Sequence, residues 1–282
     1  MRTMIVGGRS SLALAMKPVL AGFSEVVTAG REGCDIKLDV NAPAEEIVFP
    51  AGIDAVINTS AGFAGTTIAD MIRTESVNVL GAMKICNACV LADVKHVVQI
   101  SSVHADLDAA SPFYGMYALS KRHAEDVARL CCAKAGLPLA ILRPSQFYGL
   151  GEGFRKHQPF FFSIADKAAS NQEITFYGSH DAARNFIHVE DVAKIIALVV
   201  QRKIEGTYAC TNPANVTYSE IAAAAIRAFR SSSAIRFLPA MPDIADNVSD
   251  FDGALYQAIG FSPEIDIRAG MAKEAASRKL RT

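Results

Sequence analysis

The chain has 282 residues, 51% of them hydrophobic and 20% charged, which is enough apolar material for one large domain or two fused lobes and excludes disorder along the whole length. Lys and Arg total 28 against 29 Asp and Glu, a formal charge of -1 with no long run of either sign, so a general binder of nucleic-acid backbone is not expected. The runs IIALVV and PFFFSIA fall well short of the ~18 apolar residues a membrane span needs, and Arg9 with its neighbouring glycines interrupts the N-terminal apolar stretch before it reads as a secretory leader. A soluble, cytoplasmic chain that does not engage membranes is the expectation. Cys86 and Cys89 have C-x-x-C spacing, but they lie in a helical pattern with no second pair to complete a zinc site, so reduced thiols are expected rather than a metal or redox centre.

Residues 3–6 read as a short buried strand, and Gly7-Gly8 turns the chain into a helix carrying Leu12, Met16 and Leu20. Residues 25–28 offer a second strand and residues 53–58 a third. Val79, Met83, Cys86 and Val90 recur at three- and four-residue spacing, which predicts a helix over 78–90. The next strand is expected at 97–101, then a connection containing Asp106, Asp108 and Pro112, a helix over about 114–135 stopped by Gly136-Leu137-Pro138, and a strand at 139–142. Apolar strands alternating with crossover helices predict a doubly wound parallel α/β sheet.

After Arg143-Pro144 the texture changes, with aromatic and polar residues mixed through 146–178. A strand-like 185–189 leads into a helix over 190–201, Gly206–Cys210 reads as a strand, Tyr218–Phe229 as an alanine-rich helix and 252–259 as a last helix. The end, with Lys273, Lys279 and Arg281, is expected to fray. Residues 1–145 are expected to form the first lobe, and 146–282 a smaller, partly interwoven second one with segments that return to the first.

Several ordered segments carry a resemblance. Gly7-Gly8-Arg9-Ser10-Ser11-Leu12-Ala13 stands in the place of a G-x-x-G-x-x-G turn, with Ser10 and Ala13 at the second and third glycine positions. Asn78-Val79-Leu80-Gly81-Ala82 is close to N-V-x-G-T, and Tyr117-Ala118-Leu119-Ser120-Lys121 is a direct Y-x-x-x-K. Arg143-Pro144-Ser145-Gln146-Phe147-Tyr148-Gly149 is close to R-P-x-x-V-Y-G, and the segment from Arg184 to Val192 to R-D-F-I-H-V-x-D-V. With these, the chain resembles the extended short-chain dehydrogenase/reductases over most of residues 1–230, in the branch of NAD(P)-dependent nucleotide-sugar epimerases, dehydratases and reductases.

The resemblance implies a Rossmann-like first lobe that binds NADP or NAD, and a substrate lobe after it. Gly7, Arg9, Ser10, Ser11 and Leu12 would meet the pyrophosphate, with Ser10 capping the helix or touching a phosphate oxygen. Asp39 and Val40 would lie near adenine, Ser60 and Ala61 beside the cofactor at a strand end, and Lys121 on the nicotinamide ribose. NAD-selective relatives place an acidic residue at the end of the second strand; here Thr28-Ala29-Gly30-Arg31 stands there, so Arg31 and Arg9 around a 2′-phosphate favour NADP.

Ser102, Tyr117 and Lys121 would form the catalytic triad: Ser102 orients the substrate oxygen, Tyr117 exchanges its proton, and Lys121 favours the phenolate. Ser101 is the alternative to Ser102 or a structural neighbour. Val103-His104 stands where the 4,6-dehydratases carry Asp-Glu, which counts against elimination; His104 is either a local acid and substrate contact or an ordinary loop residue. Gln146 and Arg184 are the substrate-binding candidates, Arg184 through a forked contact with a diphosphate, while His188 and Asp191 brace their segment. Most of Phe160, Phe161, Phe162, Phe176 and Tyr177 is expected in the second lobe's core. No metal site is expected.

The implied activity is epimerisation or reduction of a nucleotide-linked sugar by an NAD(P)-dependent enzyme. The alternatives are a reductase of a small non-nucleotide carbonyl compound and a nonenzymatic NAD(P)-sensing protein. The partner is a small molecule, and a homodimer through apolar helical faces at 79–90 and 127–131 is a further expectation.

Overall fold

The computed structural model describes residues 1–63 and 65–279. Its first half runs β1 (Arg2–Val6), α1 (Ser11–Leu20), β2 (Glu25–Gly30), β3 (Ile36–Lys37), β4 (Ala55–Asn58), α2 (Ile68–Glu75), α3 (Gly81–Leu91), β5 (His96–Ile100), α4 (Met116–Ala135) and β6 (Leu139–Pro144). Then come β7 (Gln146–Tyr148), α5 (Glu152–His157), α6 (Pro159–Ala169), β8 (Ile174–Tyr177), β9 (Ala183–Arg184), β10 (Phe186–His188) and α7 (Val189–Arg202). The chain closes with β11 (Gly206–Cys210), β12 (Val216–Thr217), α8 (Tyr218–Phe229), β13 (Ile235–Leu238), α9 (Ala254–Ile259) and α10 (Ile267–Lys279).

These elements form two compact units, one of Met1–Pro144, Ala193–Cys210 and Asp252–Phe261, the other of Ser145–Val192, Thr211–Phe251 and Ser262–Thr282. The first is built on a seven-stranded sheet of order β11-β6-β5-β4-β1-β2-β3, parallel throughout. Its strands are continuous apolar runs because both faces are covered; Met4, Ile5, Val6, Val56 and Ile57 are all buried. Strand order reverses at β1, where Val6 stands opposite Ala29 of β2 and Asn58 of β4, so the turns leaving these strands flank one crevice at the carboxyl edge. On one face the core packs Met4, Val56 and Val97 against Ile85, Cys86 and Cys89 of α3 and Ala128 and Cys132 of α4. The nearest sulfur partner of Cys86 is Cys132, at 3.8 Å, rather than its C-x-x-C neighbour.

The helix expected at 78–90 begins much earlier. Thr67 and Asp70 form a capping box that starts α2, and a π-turn over Ser76–Leu80 carries the helix on into α3. The large apolar residues Ile68 and Ile72 of α2 are exposed (76% and 62%), so its apolar stripe marks no buried face.

The second unit holds three two-stranded sheets, β7 with β10, β8 with β13, and β9 with β12. Phe161, Phe162 and Phe176 fill its core while Phe160 and Tyr177 stay largely exposed, so the aromatic cluster is mostly packing. That mixed texture concealed α5 and α6, the latter opened by Pro159 at its first turn. The C-terminal end is also more ordered than expected: Lys273 pairs with Glu190 at 3.0 Å and Arg278 with Glu274 at 2.9 Å inside α10, which continues through Lys279. Arg281 lies outside the described residues. Among the described residues, no helix is long and apolar enough to cross a membrane.

Candidate active site

The turn after β1 is held by two backbone bonds, from the N–H groups of Gly7 and Gly8 to the carbonyl of Ala29. Gly7 has φ +81, and a Cβ there would stand 2.7 Å from Thr59 Oγ1 and 3.0 Å from the Ser60 nitrogen. Only glycine lets the turn pass the end of β4 this closely. Ser10, in contrast, is extended (φ -63, ψ 150), a conformation open to any residue, and its hydroxyl caps α1 by accepting the Ala13 N–H at 3.1 Å. The same hydroxyl lies 3.0 Å from Thr59 Oγ1, which in turn reaches the carbonyls of Val6 and Gly7. Thr59 was not singled out from sequence, although its place in Asn58-Thr59-Ser60 at a strand end is the signal that finds it.

With the Ala13 N–H taken by the cap, the helix terminus presents the Ser11 and Leu12 N–H groups, and the first turn of α1 holds no acidic residue. A dinucleotide pyrophosphate fits such a terminus at a sheet switch point. Beyond β2, Arg31 is exposed and the Arg9 guanidinium stands 4.0 Å from the Glu32 carboxylate, with 66% of its side chain in solvent. Sequence inspection left out Asp35, whose carboxylate accepts the Thr28 N–H and hydroxyl at 2.8 and 2.7 Å. Those bonds hold Asp35 below the usual carboxylate range. Asp39 turns back on the Asn41 N–H, Val40 packs beside Gly81, and the Ser60 N–H and hydroxyl both bond Asn58 Oδ1, while Ala61 is exposed.

Residues of α4 meet the end of β5 and the segment that follows β4. Tyr117 and Lys121, one turn apart, share a helix face, and Lys121 Nζ sits 5.8 Å from the Tyr117 ring centre. Lys121 is 3% exposed and donates to the Ile100 carbonyl at 3.1 Å. Burial lowers its ammonium to about 8, with Glu125 pulling back the other way. Burial pushes the Tyr117 phenol up to about 12, opposed by the Ser102 hydroxyl. The Tyr117 ring stacks on Phe63 (5.4 Å between centres) and meets His104 edge to face.

The two serines at the end of β5 face different partners. Ser101 donates to Glu125 Oε1 at 2.5 Å, inside the fold; Ser102 caps the following turn through the His104 N–H at 3.2 Å and acts on Tyr117. Glu125, 1% exposed, also receives both edges of the Arg143 fork at 2.8 Å and an Arg129 nitrogen at 2.6 Å. This buried carboxylate is fully compensated and binds α4 to the ends of β5 and β6. Asn78, in the π-turn, donates to Ser120 Oγ at 2.9 Å and exchanges bonds with the Gly62 backbone, which makes it a strut between helix and loop.

In the second unit, Gln146 is half-buried, 3.5 Å from Gln158, and its own carbonyl oxygen has no protein partner. Arg184 is 5% exposed, donates to the carbonyls of Ala183 and Ala245, and lies over the Tyr218 ring at 4.9 Å. Asn185 bonds Asn212 and Asn215, His188 Nδ1 accepts the Glu190 N–H, and Asp191 accepts the Ile265 N–H at 2.9 Å, so this segment is braced from within its own unit.

The switch-point turn, the helix terminus and the Tyr117–Lys121 face sit on an α/β protein of the Rossmann type. The profile of the NAD dependent epimerase/dehydratase family matches residues 13–210, and the chain belongs to that family. It is 28% identical over 168 residues to a dTDP-4-dehydro-6-deoxy-D-allose reductase of Streptomyces sp, covering 58% of this chain and 50% of that protein. The same enzyme of Streptomyces bikiniensis matches at 28% over 163 residues, 49% of its length, so the matched region spans about half of these curated relatives. Among solved structures, RMD from Pseudomonas aeruginosa complexed with NADPH superposes at a TM-score of 0.82 with 18% identity over 100% of both chains. UDP-glucose 4-epimerase from Thermotoga maritima, with UDP-glucose, gives 0.80 at 14% identity, again over 100% of both. At these identities the shared property is the fold.

Proposed function

We propose that the chain is an NAD(P)-dependent oxidoreductase or epimerase working at a carbonyl or alcohol carbon of a nucleotide-linked sugar, with Ser102, Tyr117 and Lys121 as its catalytic residues. The observation that carries the proposal is the Tyr117 phenol bonded to the Ser102 hydroxyl, with the buried Lys121 ammonium one helical turn on and 5.8 Å from its ring centre. Bound nicotinamide supplies or accepts the hydride. Ser102 holds the substrate oxygen, Tyr117 gives it a proton as the carbonyl becomes an alcohol, and Lys121 holds the ribose. The names of the curated relatives, reductases of a 4-keto sugar nucleotide, favour the reductive direction.

The pyrophosphate would rest on Gly7, Ser11 and Leu12, with Ser10 and Thr59 shaping the turn, Asp39 and Val40 near adenine, and Ser60 and Ala61 along the cofactor. Exposed Arg9 and Arg31 favour NADP, with Asp35 turned away onto Thr28. Gln146 and Arg184 are the proposed sugar and diphosphate contacts, and the second copy of a homodimer would cover the exposed apolar face of α3 and α4. Following nicotinamide absorbance and sugar products together separates the activities: net turnover marks a reductase, epimer exchange without turnover an epimerase. Failure of both across a broad sugar-nucleotide panel, with a small ketone consumed instead, would overturn the substrate class.

A further inference from the structure

The edge strand β3 is only two residues long, and the chain leaving it turns almost at once: the Ala42 N–H bonds the Asp39 carbonyl at 3.0 Å, and the Asp39 carboxylate accepts the Asn41 N–H at 3.0 Å. So short a strand offers the turn little ladder, and much of its fastening comes from α3. Gly81 and Lys84, three residues apart, share one face of that helix. A Cβ on Gly81 would stand 3.2 Å from Val40 Cβ, so the missing side chain lets Val40 close against the helix. Lys84 Nζ donates to the Val40 carbonyl at 3.2 Å and to the Ala42 carbonyl at 2.7 Å. Val40 and Ala42 also pack against the core, while Asp39 and Asn41, which alternate with them, are exposed. One cation therefore ties down the inward residues of the turn and leaves its outward residues to solvent or a ligand.

We infer that Lys84 is a positioning residue for the adenine end of the dinucleotide: without touching the cofactor, it fixes the turn that offers Asp39 and Val40 to the base. This rests on the cofactor site proposed above. Bonds from an ammonium to carbonyl oxygens are charge-assisted and stronger than neutral ones, and two of them from one nitrogen fix the direction of the main chain at Val40 and Ala42. A turn ordered in advance spares the cofactor the cost of ordering it on binding, so the ammonium contributes affinity through the loop. The nicotinamide end is assigned to Lys121 on α4, a different helix, and Lys84 acts on the adenylate half alone.

The experiment measures dissociation constants of NADPH, NADH and reduced nicotinamide mononucleotide, which lacks the adenylate, by nicotinamide fluorescence on the full chain. Reduction of a nucleoside-diphosphate 4-keto-6-deoxyhexose by each is followed separately. Lys84→Met keeps the apolar stem and removes the ammonium. NADPH and NADH should both bind about ten-fold or more weakly in this variant, with binding of the mononucleotide and kcat at saturating dinucleotide unchanged. Lys84→Arg, which can still donate to both carbonyls, should recover most of the affinity. Parental dinucleotide binding in Lys84→Met, or an equal loss with the mononucleotide, overturns the inference and leaves the oxidoreductase standing. A loss confined to NADPH overturns it too, because Lys84 would then meet the 2′-phosphate itself. Binding without reduction of any sugar nucleotide overturns the proposed function alone, the dissociation constants still deciding the role of Lys84. A parent chain that binds neither dinucleotide overturns both.

Discussion

Tyr117 and Lys121 are placed by a four-residue spacing that any helix converts into a shared face, which is why the sequence exposes them. Tyr117→Phe keeps the ring on Phe63 and removes only the proton donor. Hydride transfer should drop by roughly 10²- to 10⁴-fold in single-turnover absorbance while denaturant stability and dinucleotide binding hold. A near-parental rate in the folded variant would remove the acid role. Lys121 carries a charge the fold does not favour: lowered from 10.5 to about 8, it corresponds to about 3 kcal/mol against folding. Lys121→Met should therefore raise stability at pH 7 by about 1–2 kcal/mol, the Ile100 carbonyl losing its donor in exchange. Between pH 8 and 10.5 the unfolded chain binds the extra proton, so the parent gains stability with rising pH and the advantage of the variant fades across that window. Urea titrations of both proteins at pH 7 and pH 10 check it. Glu125 stayed invisible in the sequence for the opposite reason. Its partners Ser101 and Arg143 stand 24 and 18 residues away, and within α4 it reads as one more solvated helix carboxylate.

At the scale of the elements, α4 is the lever of the site, since it carries Tyr117, Lys121, Arg122 and Glu125 on one 20-residue helix. Its end was legible: Gly136 sits left-handed at φ 62, accepting the terminal turn that Gly136-Leu137-Pro138 announces. A Cβ there would meet nothing within 4 Å, so Gly136→Ala isolates the backbone cost. It should lower stability by about 1 kcal/mol, seen as an earlier urea midpoint with an unchanged slope, and leave reduction at the parental rate. A loss of several kcal/mol would mean the helix end is coupled to packing beyond its own turn. The start of the α2–α3 run was not legible, although Thr67 and Asp70 spell a capping box. The eight-residue α2 is short, and its apolar stripe, with Ile68 and Ile72 facing outward, does not face the core.

Over the whole molecule, the alternation of apolar strands and helices disclosed the sheet through β6, except for the two-residue edge strand β3. The order of its neighbours depends on pairings between distant segments, which no local pattern encodes: β11 joins the edge at β6, in register from Gly206 opposite Ala140 to Cys210 opposite Pro144. Apolar residues that sheet and core leave uncovered are the remaining signal at this scale. Leu80 at the end of the π-turn and Met83, Val90 and Leu91 along α3 are 50%, 40%, 44% and 77% exposed, and Leu130 on the adjoining α4 is 58% exposed. One isolated exposed leucine has no meaning, but a continuous set on two packed helices is what a self-complementary surface requires. A two-fold pairing through this face would bury it and leave the crevice at the carboxyl edge of the sheet to its ligands. The parent chain should therefore run at twice its 30.1 kDa mass at micromolar concentration in multi-angle scattering. Met83→Asp combined with Leu130→Asp places charges at the centre of the contact and should give the single-chain mass, with the circular dichroism of the folded chain preserved. A parent that stays at single-chain mass up to tens of micromolar would leave this face without its second copy.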